Sequence, residues 1–572
     1  MKVFSTILFL FIFHISFVNT IEWQELNAAT FTRAKAENKI ILLNLKANWC
    51  HWCHVMKNNT YTNQEVVTYI NKHFITVEAD QDANPELSNR YKDYGWPATI
   101  FINAKGEDVV KRAGYMAPEN FLRLLKAIIK DPSPEQTSVD LTTINNTKNT
   151  NNNLVATLEN NFIKSLDIEV GGFNQAQKYI EYATFEKALL DRKNLTLNTW
   201  IKNSVKGAKK LSDPVWGGMY QYSTHNDWEH VHFEKLLSIQ ARYINIFLQH
   251  YTYYNDENSL KQAKNIVHYI DTFLANKNGL YSNAQDADLI QGRHAGAYFA
   301  LNNTERRKLG IPNIDKNTFT DNNATIGSAL LRMYNGTQNK KYLNKVKTIE
   351  NGLYQRKNRN GLYTHGSKQS TVSSLKDQIA MAHFFINLIK NDINNTKAKQ
   401  ELKALCLQLK NKFLLQNGSF ISFTGNNGLT TQPLKEENIS LARIFNWYGH
   451  YTHNKEYINI AKHTYKFLTA DVLAKNYYSE ASLLLLQKEL ATEPNQYVYL
   501  NTEKGNHFNY YLQSITPFYS LVYVGKLNEL PTEKQNLIKS FKENVLFSCT
   551  SNYCSTPIYS EEELKKEFYK NN

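Results

Sequence analysis

Two cysteines lie in the hexapeptide Trp49-Cys50-His51-Trp52-Cys53-His54, and they are the residues of this sequence best equipped for chemistry. Thiols at that spacing can close as a disulfide, and the first can act as a nucleophile once deprotonated. A strand-like run, Ile40 to Leu45, precedes the pair and a helical stretch follows. Cys50 is thus expected at a helix N-terminus, where unpaired amides and the helix dipole stabilise a thiolate. His51, if protonated, would add to this and favour an oxidising potential, while Cys53, one turn on, would be more enclosed and would resolve a mixed disulfide. The same letters admit rivals: Cys-x-x-Cys-His attaches c-type haem, cysteine and histidine can hold zinc, and the pair can be an inert disulfide. No second pair of ligands stands nearby in sequence, so no metal and no cofactor is assigned.

The elements that would position the pair can be read around it. Residues 22–130 form a compact α/β pattern. A helix is expected from Trp23 to Asn38, then the strand, then helix to His73. Strands Phe74 to Glu78 and Ala98 to Ile102, a Lys105-Gly106 turn and a closing helix Pro118 to Lys130 follow. Between Asp131 and Asn153 the chain turns to Pro, Ser, Thr and Asn, which marks a linker. Beyond it amphipathic helical stretches dominate. Short Gly-aromatic segments recur at Gly171-Gly172-Phe173, Gly217-Gly218-Met219-Tyr220, Gly279-Leu280-Tyr281, Gly361-Leu362-Tyr363 and Gly418-Ser419-Phe420. Such helical hairpins must stack as a solenoid or close into a ring, and a ring gathers its loops at one mouth.

The 572 residues are 42% apolar, enough for more than one core. The formal charge of +14 is spread along the chain rather than gathered in a block, which argues against nucleic acid as a partner. Lys2, an apolar run to Val18 and the polar pair Asn19-Thr20 read as a secretory signal peptide over residues 1–20. The expected location is therefore periplasmic or secreted, with an uncleaved membrane anchor as the alternative and no stable membrane span after cleavage. An oxidising compartment would let disulfides persist.

Trp96-Pro97, just before the strand at Ala98, completes a resemblance to thioredoxins that runs from Ile41-Leu42-Leu43-Asn44 through the cysteines to Gly114. The resemblance implies a cis Pro97 that presents backbone to a substrate strand. It also exposes a departure, because thioredoxins usually bury an aspartate where this chain has Asn44. Cys50-His51-Trp52-Cys53-His54-Val55-Met56 further resembles the signature of the spermatogenesis-associated protein 20 family. The likeness continues through Trp228, His232-Phe233-Glu234-Lys235, Asp286-Ala287-Asp288, Gly296-Ala297-Tyr298, Asp315-Lys316 and the Cys549/Cys554 pair. It implies a thioredoxin-like α/β domain at 21–130, the linker at 131–153 and an all-α (α/α)6 toroid of six-hairpin glycosidase type at 154–572. The chain departs from that family at Gln177-Lys178-Tyr179, Val231 and Asp321-Asn322.

Two functional expectations follow. The first is a thiol-disulfide oxidoreductase or redox sensor acting on protein thiols or disulfides, with Cys50, Cys53, Pro97, His51 and Trp52 as its site. The second is a carbohydrate-active enzyme or glycan-binding module, the barrel cleft being built from Trp228, His232, Glu234, Lys235, Asp286 and Asp288. There a histidine and carboxylates could act as general acid and base, or merely cap helices and pair with lysine. Cys549 and Cys554 are either a structural staple or a relay to Cys50 and Cys53, and Cys406, among leucines at helical spacing, is an inert core thiol.

Overall fold

The structure is a computed structural model that describes residues 20–91, 95–135, 139–144, 153–367, 370, 372–501, 507–550 and 552–571. Apart from Thr20, the expected signal peptide lies outside the described residues, as does much of the linker. No helix among the described residues is long and apolar enough to cross a membrane.

The N-terminal unit runs α1 (Ala28–Glu37), β1 (Ile40–Lys46), α2 (His51–Asn59), α3 (Gln64–His73), β2 (Phe74–Asp80), α4 (Pro85–Tyr91), β3 (Ala98–Ile102), β4 (Asp108–Ala113) and α5 (Pro118–Lys130). The sheet order is β2-β1-β3-β4. β1 pairs parallel with β2 and antiparallel with β3, the thioredoxin arrangement. Helices cover both faces, so the central β1 is an almost unbroken apolar run, and its buried polar exception is Asn44.

The helical unit begins with α6 (Leu154–Lys164). Its inner helices are α7 (Tyr182–Leu190), α9 (Leu237–Tyr254), α11 (Thr320–Thr337), α13 (Leu375–Asn391), α15 (Lys435–Tyr451) and α17 (Ala481–Ala491). Each packs on the next and α17 packs back on α7, which closes a ring. The outer partners are α8 (Leu195–Ala208), α10 (Glu257–Tyr269), α12 (Lys340–Tyr354), α14 (Thr396–Phe413) and α16 (Lys455–Leu468), with α6 against α17. Sequence dictates the division. In α9 buried residues occur all round, whereas α10 buries one stripe through Leu260, Ala263 and Val267. This is the expected (α/α)6 toroid.

The Gly-aromatic segments are the turns that lead from an outer helix to the next inner one. Gly279, Gly361 and Gly418 sit at φ near +80°, a left-handed conformation that suits glycine. The fourth residue of an inner helix then clamps the turn. Gln240, Asn323, Gln378 and Asn438 each accept the backbone N–H and donate to the C=O of Met219, Tyr281, Tyr363 and Phe420 respectively.

The ring ends at α17, so the helical barrel does not fill the expected 154–572. The chain continues as β5 (Asn495–Leu500), α18 (His507–Ile515), β6 (Ser520–Gly525), β7 (Val545–Cys549) and α19 (Glu561–Asn571). These aromatic and β-branched runs pair as strands rather than extending the helices. β5 lies between β6, parallel, and β7, antiparallel, and Leu546 bridges Ile558 as the start of a fourth strand. That is the connectivity of the N-terminal sheet repeated.

The two α/β units cap opposite ends of the ring. The C-terminal unit meets the C-terminal ends of inner helices: Tyr253 and Trp447 donate to the carbonyls of Ile515 and Ser520 at 2.7 and 2.9 Å. The N-terminal unit covers the other mouth, where Asn89 donates to Glu437 at the start of α15 at 2.6 Å.

Candidate functional site at the seam between dithiol and barrel mouth

Cys50 caps α2, its sulfur accepting from the Cys53 N–H at 3.2 Å, and the two cysteines form a disulfide. The Trp96-Pro97 peptide is cis, as the thioredoxin resemblance implied, and the Pro97 carbonyl accepts from Gly114 N–H at 2.8 Å. Beneath the disulfide lies a pocket lined by Asn44, Lys46, Cys53, His54 and Glu78 among others. Glu78 is the register partner of Asn44 across the β1–β2 ladder. It accepts from Asn44 Nδ2 at 3.1 Å and from Lys46 Nζ at 2.5 Å. An acid thus stands on the neighbouring strand, beside Asn44. The sequence reading noticed the missing aspartate but not its replacement, since only the strand register brings Glu78 alongside.

The dithiol does not face open solvent. Cys50 and Cys53 are 4% and 7% exposed. The barrel segment Asp286-Ala287-Asp288 lies along the cysteine loop: Ala287 N–H donates to the Trp49 carbonyl at 3.3 Å. His51 Nδ1 donates to Asp288 at 2.8 Å, and His54 Nε2 donates to Asp286 at 3.0 Å. The hydrogen bond that His51 donates to Asp288, against the cost of burial, raises the His51 pKa and favours its imidazolium beside Cys50. Trp52, 46% exposed, stands at the rim beside Tyr115.

A second set of contacts runs deeper into the mouth. Asp82 accepts from Trp49 Nε1 at 2.5 Å and from Asn283 Nδ2 at 2.7 Å. His365 hydrogen-bonds through both ring nitrogens, to Asp377 at 2.9 Å and to the Asp82 carbonyl at 2.6 Å. Both neighbours are acceptors, so both nitrogens donate and the ring is cationic. Burial opposes this, but Asp377 and Asp321 hold the His365 pKa up at about 9. Burial and the adjacent Asp82 push Asp80 up to about 7.

Of the expected cleft residues, His232, Glu234, Asp286 and Asp288 meet near this seam. Burial, then Asp286 and Asp288, push Glu234 up to about 7, and burial with His51 and His294 brings His232 down to about 4. Trp228 and Lys235 do not join them. Trp228 is buried against Gly207 and donates to the Val170 carbonyl at 2.9 Å. Lys235 is fully buried in the barrel wall, held by Asp213 at 2.7 Å under the ring of Tyr269. Both are structural, because their polar atoms are spent on the wall. Sequence reasoning missed Asp82, Asn283, His365 and Asp377: the first three lie on separate turns, Asp377 is in the first turn of α13, and Asp82 joins the barrel residues only when the domains dock.

Residues 12–147 match the family described as "Thioredox_DsbH: Protein of unknown function, DUF255". The chain is also similar to spermatogenesis-associated protein 20 of Mus musculus, 25% identical over 337 residues, or 51% of this chain and 42% of that protein. It spans about two fifths of the length of the curated relatives it matches. Disulfide bond reductase DsbH of Chlamydia pneumoniae is 26% identical over 103 residues, covering 16% of this chain and 61% of that protein. Cellobiose 2-epimerase from Bacillus thermoamylovorans B4167 is 12% identical with a TM-score of 0.45, covering 55% of this chain and 85% of that one.

Proposed function

We propose that the protein is an exported thiol-disulfide oxidoreductase in which Cys50 attacks and Cys53 resolves. The observation that carries the reading is the position of Cys50 at the N-cap of α2, bonded to Cys53 above a pocket that contains Glu78. In the reduced protein the Cys50 thiolate attacks one sulfur of a substrate disulfide and expels the other as a thiolate. Cys53 gives up its proton and attacks Cys50 Sγ, releasing the second substrate thiol and leaving the Cys50–Cys53 disulfide. Glu78, beside Asn44 in the pocket that Cys53 also lines, is the group that takes the Cys53 proton. A protein dithiol must then return two electrons. The cis Trp96-Pro97 segment offers backbone to the substrate, and Trp52 at the rim gives it an apolar surface. The relative named disulfide bond reductase DsbH supports reduction as the direction.

Barrel-mouth carbohydrate chemistry is the weaker reading, because Asp286 and Asp288 are already engaged by His54 and His51. The deciding experiment is a trap. Cys53→Ser should accumulate a mixed disulfide through Cys50 with a disulfide-bearing protein, and Cys50→Ser should not. Equal turnover by wild type and Cys50→Ser would sink the proposal. Export is tested by sequencing the N-terminus of protein from a periplasmic or culture fraction.

A further inference from the structure

At the seam, three ligand-type side chains from two domains converge. His54 Nε2 and one carboxylate oxygen each of Asp286 and Asp288 lie within 4.8 Å of one another, and all three residues are buried. In sequence His54 lies more than 230 positions before Asp286 and Asp288, which is why no metal spacing was visible there. A third acid faces them. Glu234 is 5% exposed, its Oε2 has no hydrogen-bond partner, and it interacts electrostatically with Asp286, Asp288 and His51. His51 and His54 hydrogen-bond two of the three buried carboxylates, while His232 Nδ1 stands 4.0 Å from Glu234 Oε2, too far for a hydrogen bond, and the adjacent Lys235 is turned away to Asp213. Buried carboxylate in excess of its partners calls for a proton or a cation.

We infer that the seam binds a divalent first-row cation, with zinc the best fit, through His54, Asp286 and Asp288 and with Glu234 as the fourth ligand. Imidazole nitrogen combined with carboxylates suits zinc better than magnesium or calcium, which prefer all-oxygen shells. A tetrahedral ion with bonds of about 2.0–2.1 Å spaces its donors by roughly 3.4 Å, a modest contraction of the present cluster. The ion would clip the cysteine-bearing helix to the barrel loop and hold the domains shut over the disulfide. The inference stands apart from the redox proposal, since binding is expected whether or not the dithiol turns over.

The test uses the full chain with both disulfides oxidised, so that thiols cannot ligate, stripped with chelator and titrated with zinc or magnesium by calorimetry and thermal melting. Zinc should bind at one equivalent and raise the melting temperature, and magnesium should do neither. Glu234→Gln and Asp286→Asn should each weaken zinc by at least roughly tenfold. Zinc should also slow reduction of Cys50–Cys53 by a small thiol in wild type only. Should Asp286→Asn fail to fold, Glu234→Gln carries the test, because its Oε2 has no hydrogen bond to lose. No stoichiometric zinc binding by wild type, or binding undiminished in the folded variants, overturns the inference.

Discussion

His51, one residue after the attacking cysteine, and Asp288, on a barrel loop, form a hydrogen-bonded ion pair of 2.8 Å across the boundary between two domains. Asp288 is 2% exposed. The pair therefore latches the dithiol against the barrel rather than ornamenting a surface. Removing one partner of a buried, hydrogen-bonded charge pair costs about 2–5 kcal/mol. Asp288→Ala should release the seam, and a protein reductant should then reduce Cys50–Cys53 at least about tenfold faster, since 1.4 kcal/mol is tenfold. A small thiol should gain less. Unchanged protein-reductant rates, followed by thiol alkylation, would contradict the latch.

Glu78 lies one strand from the position where thioredoxins bury their acid, and Lys46 and Asn44 hold it there. General-base assistance is worth about 10²–10⁴-fold. Glu78→Gln should slow release of a pre-formed Cys50 mixed disulfide by roughly 100-fold at neutral pH while leaving its formation nearly intact. Adding Asn44→Asp to Glu78→Gln should restore much of the rate. A purely structural Glu78 would show neither the selective loss nor the rescue in single-turnover kinetics.

His365 and Asp80 in the mouth cluster give pH dependences of the same sign. His365 is raised from 6.5 to about 9, so its stabilisation is complete below pH 6.5 and is lost as pH rises through 9. Asp80 is raised from 3.8 to about 7, so burying it costs nothing at acid pH and progressively more up to neutrality. Both groups favour the protonated, folded state. Below pH 6.5 His232, held down at about 4 by burial, His51 and His294, works against them, so the fall shows from pH 7 to pH 9, as lower unfolding free energy and faster hydrogen exchange at residues 80–91 and 365. His365→Gln should flatten the alkaline half of that curve.

The clamps on the Gly-aromatic turns give a stability prediction. Gln378 accepts from Tyr363 N–H and donates to the Tyr363 C=O, both at 2.8 Å, in a fully buried setting. Leucine has similar volume but leaves both backbone groups unpaired, at about 1–3 kcal/mol each. Gln378→Leu should cost roughly 2–5 kcal/mol of unfolding free energy, measured by denaturant titration.

These clamps also mark where the sequence ceased to be readable. The recurring Gly-aromatic turns were visible, and so was the ring they imply, because glycine at positive φ leaves a local signature. The amides that fasten them were not. Gln240, Asn323, Gln378 and Asn438 read as ordinary polar residues near helix starts, and their meaning depends on partners 15 to 42 positions away. The dithiol was legible for the local reason that strand, cysteines and helix are contiguous. Its covering was not, since Asp286 and Asp288 acquire His54 and His51 only by docking over more than 230 residues. The C-terminal sheet was missed because its strands are short and separated by helices, a pattern that helical periodicity absorbs.

The position of the second disulfide bears on how far electron exchange can reach within the chain. Cys549 and Cys554 bridge the hairpin after β7, in the cap at the C-terminal ends of the inner helices. Cys50 and Cys53 sit at the opposite mouth. An inner helix such as α9 has 18 residues, and a helix of that length spans roughly 27 Å. Sulfurs must touch to exchange, so this arrangement leaves the relay alternative without a path, and we propose the staple. A closed loop this short contributes about 2 kcal/mol through the unfolded state. The double variant Cys549→Ser, Cys554→Ser should lose about that much stability yet keep the reduction potential and mixed-disulfide kinetics of Cys50–Cys53. A shifted Cys50–Cys53 potential in that variant, measured by glutathione redox titration, would reinstate the relay.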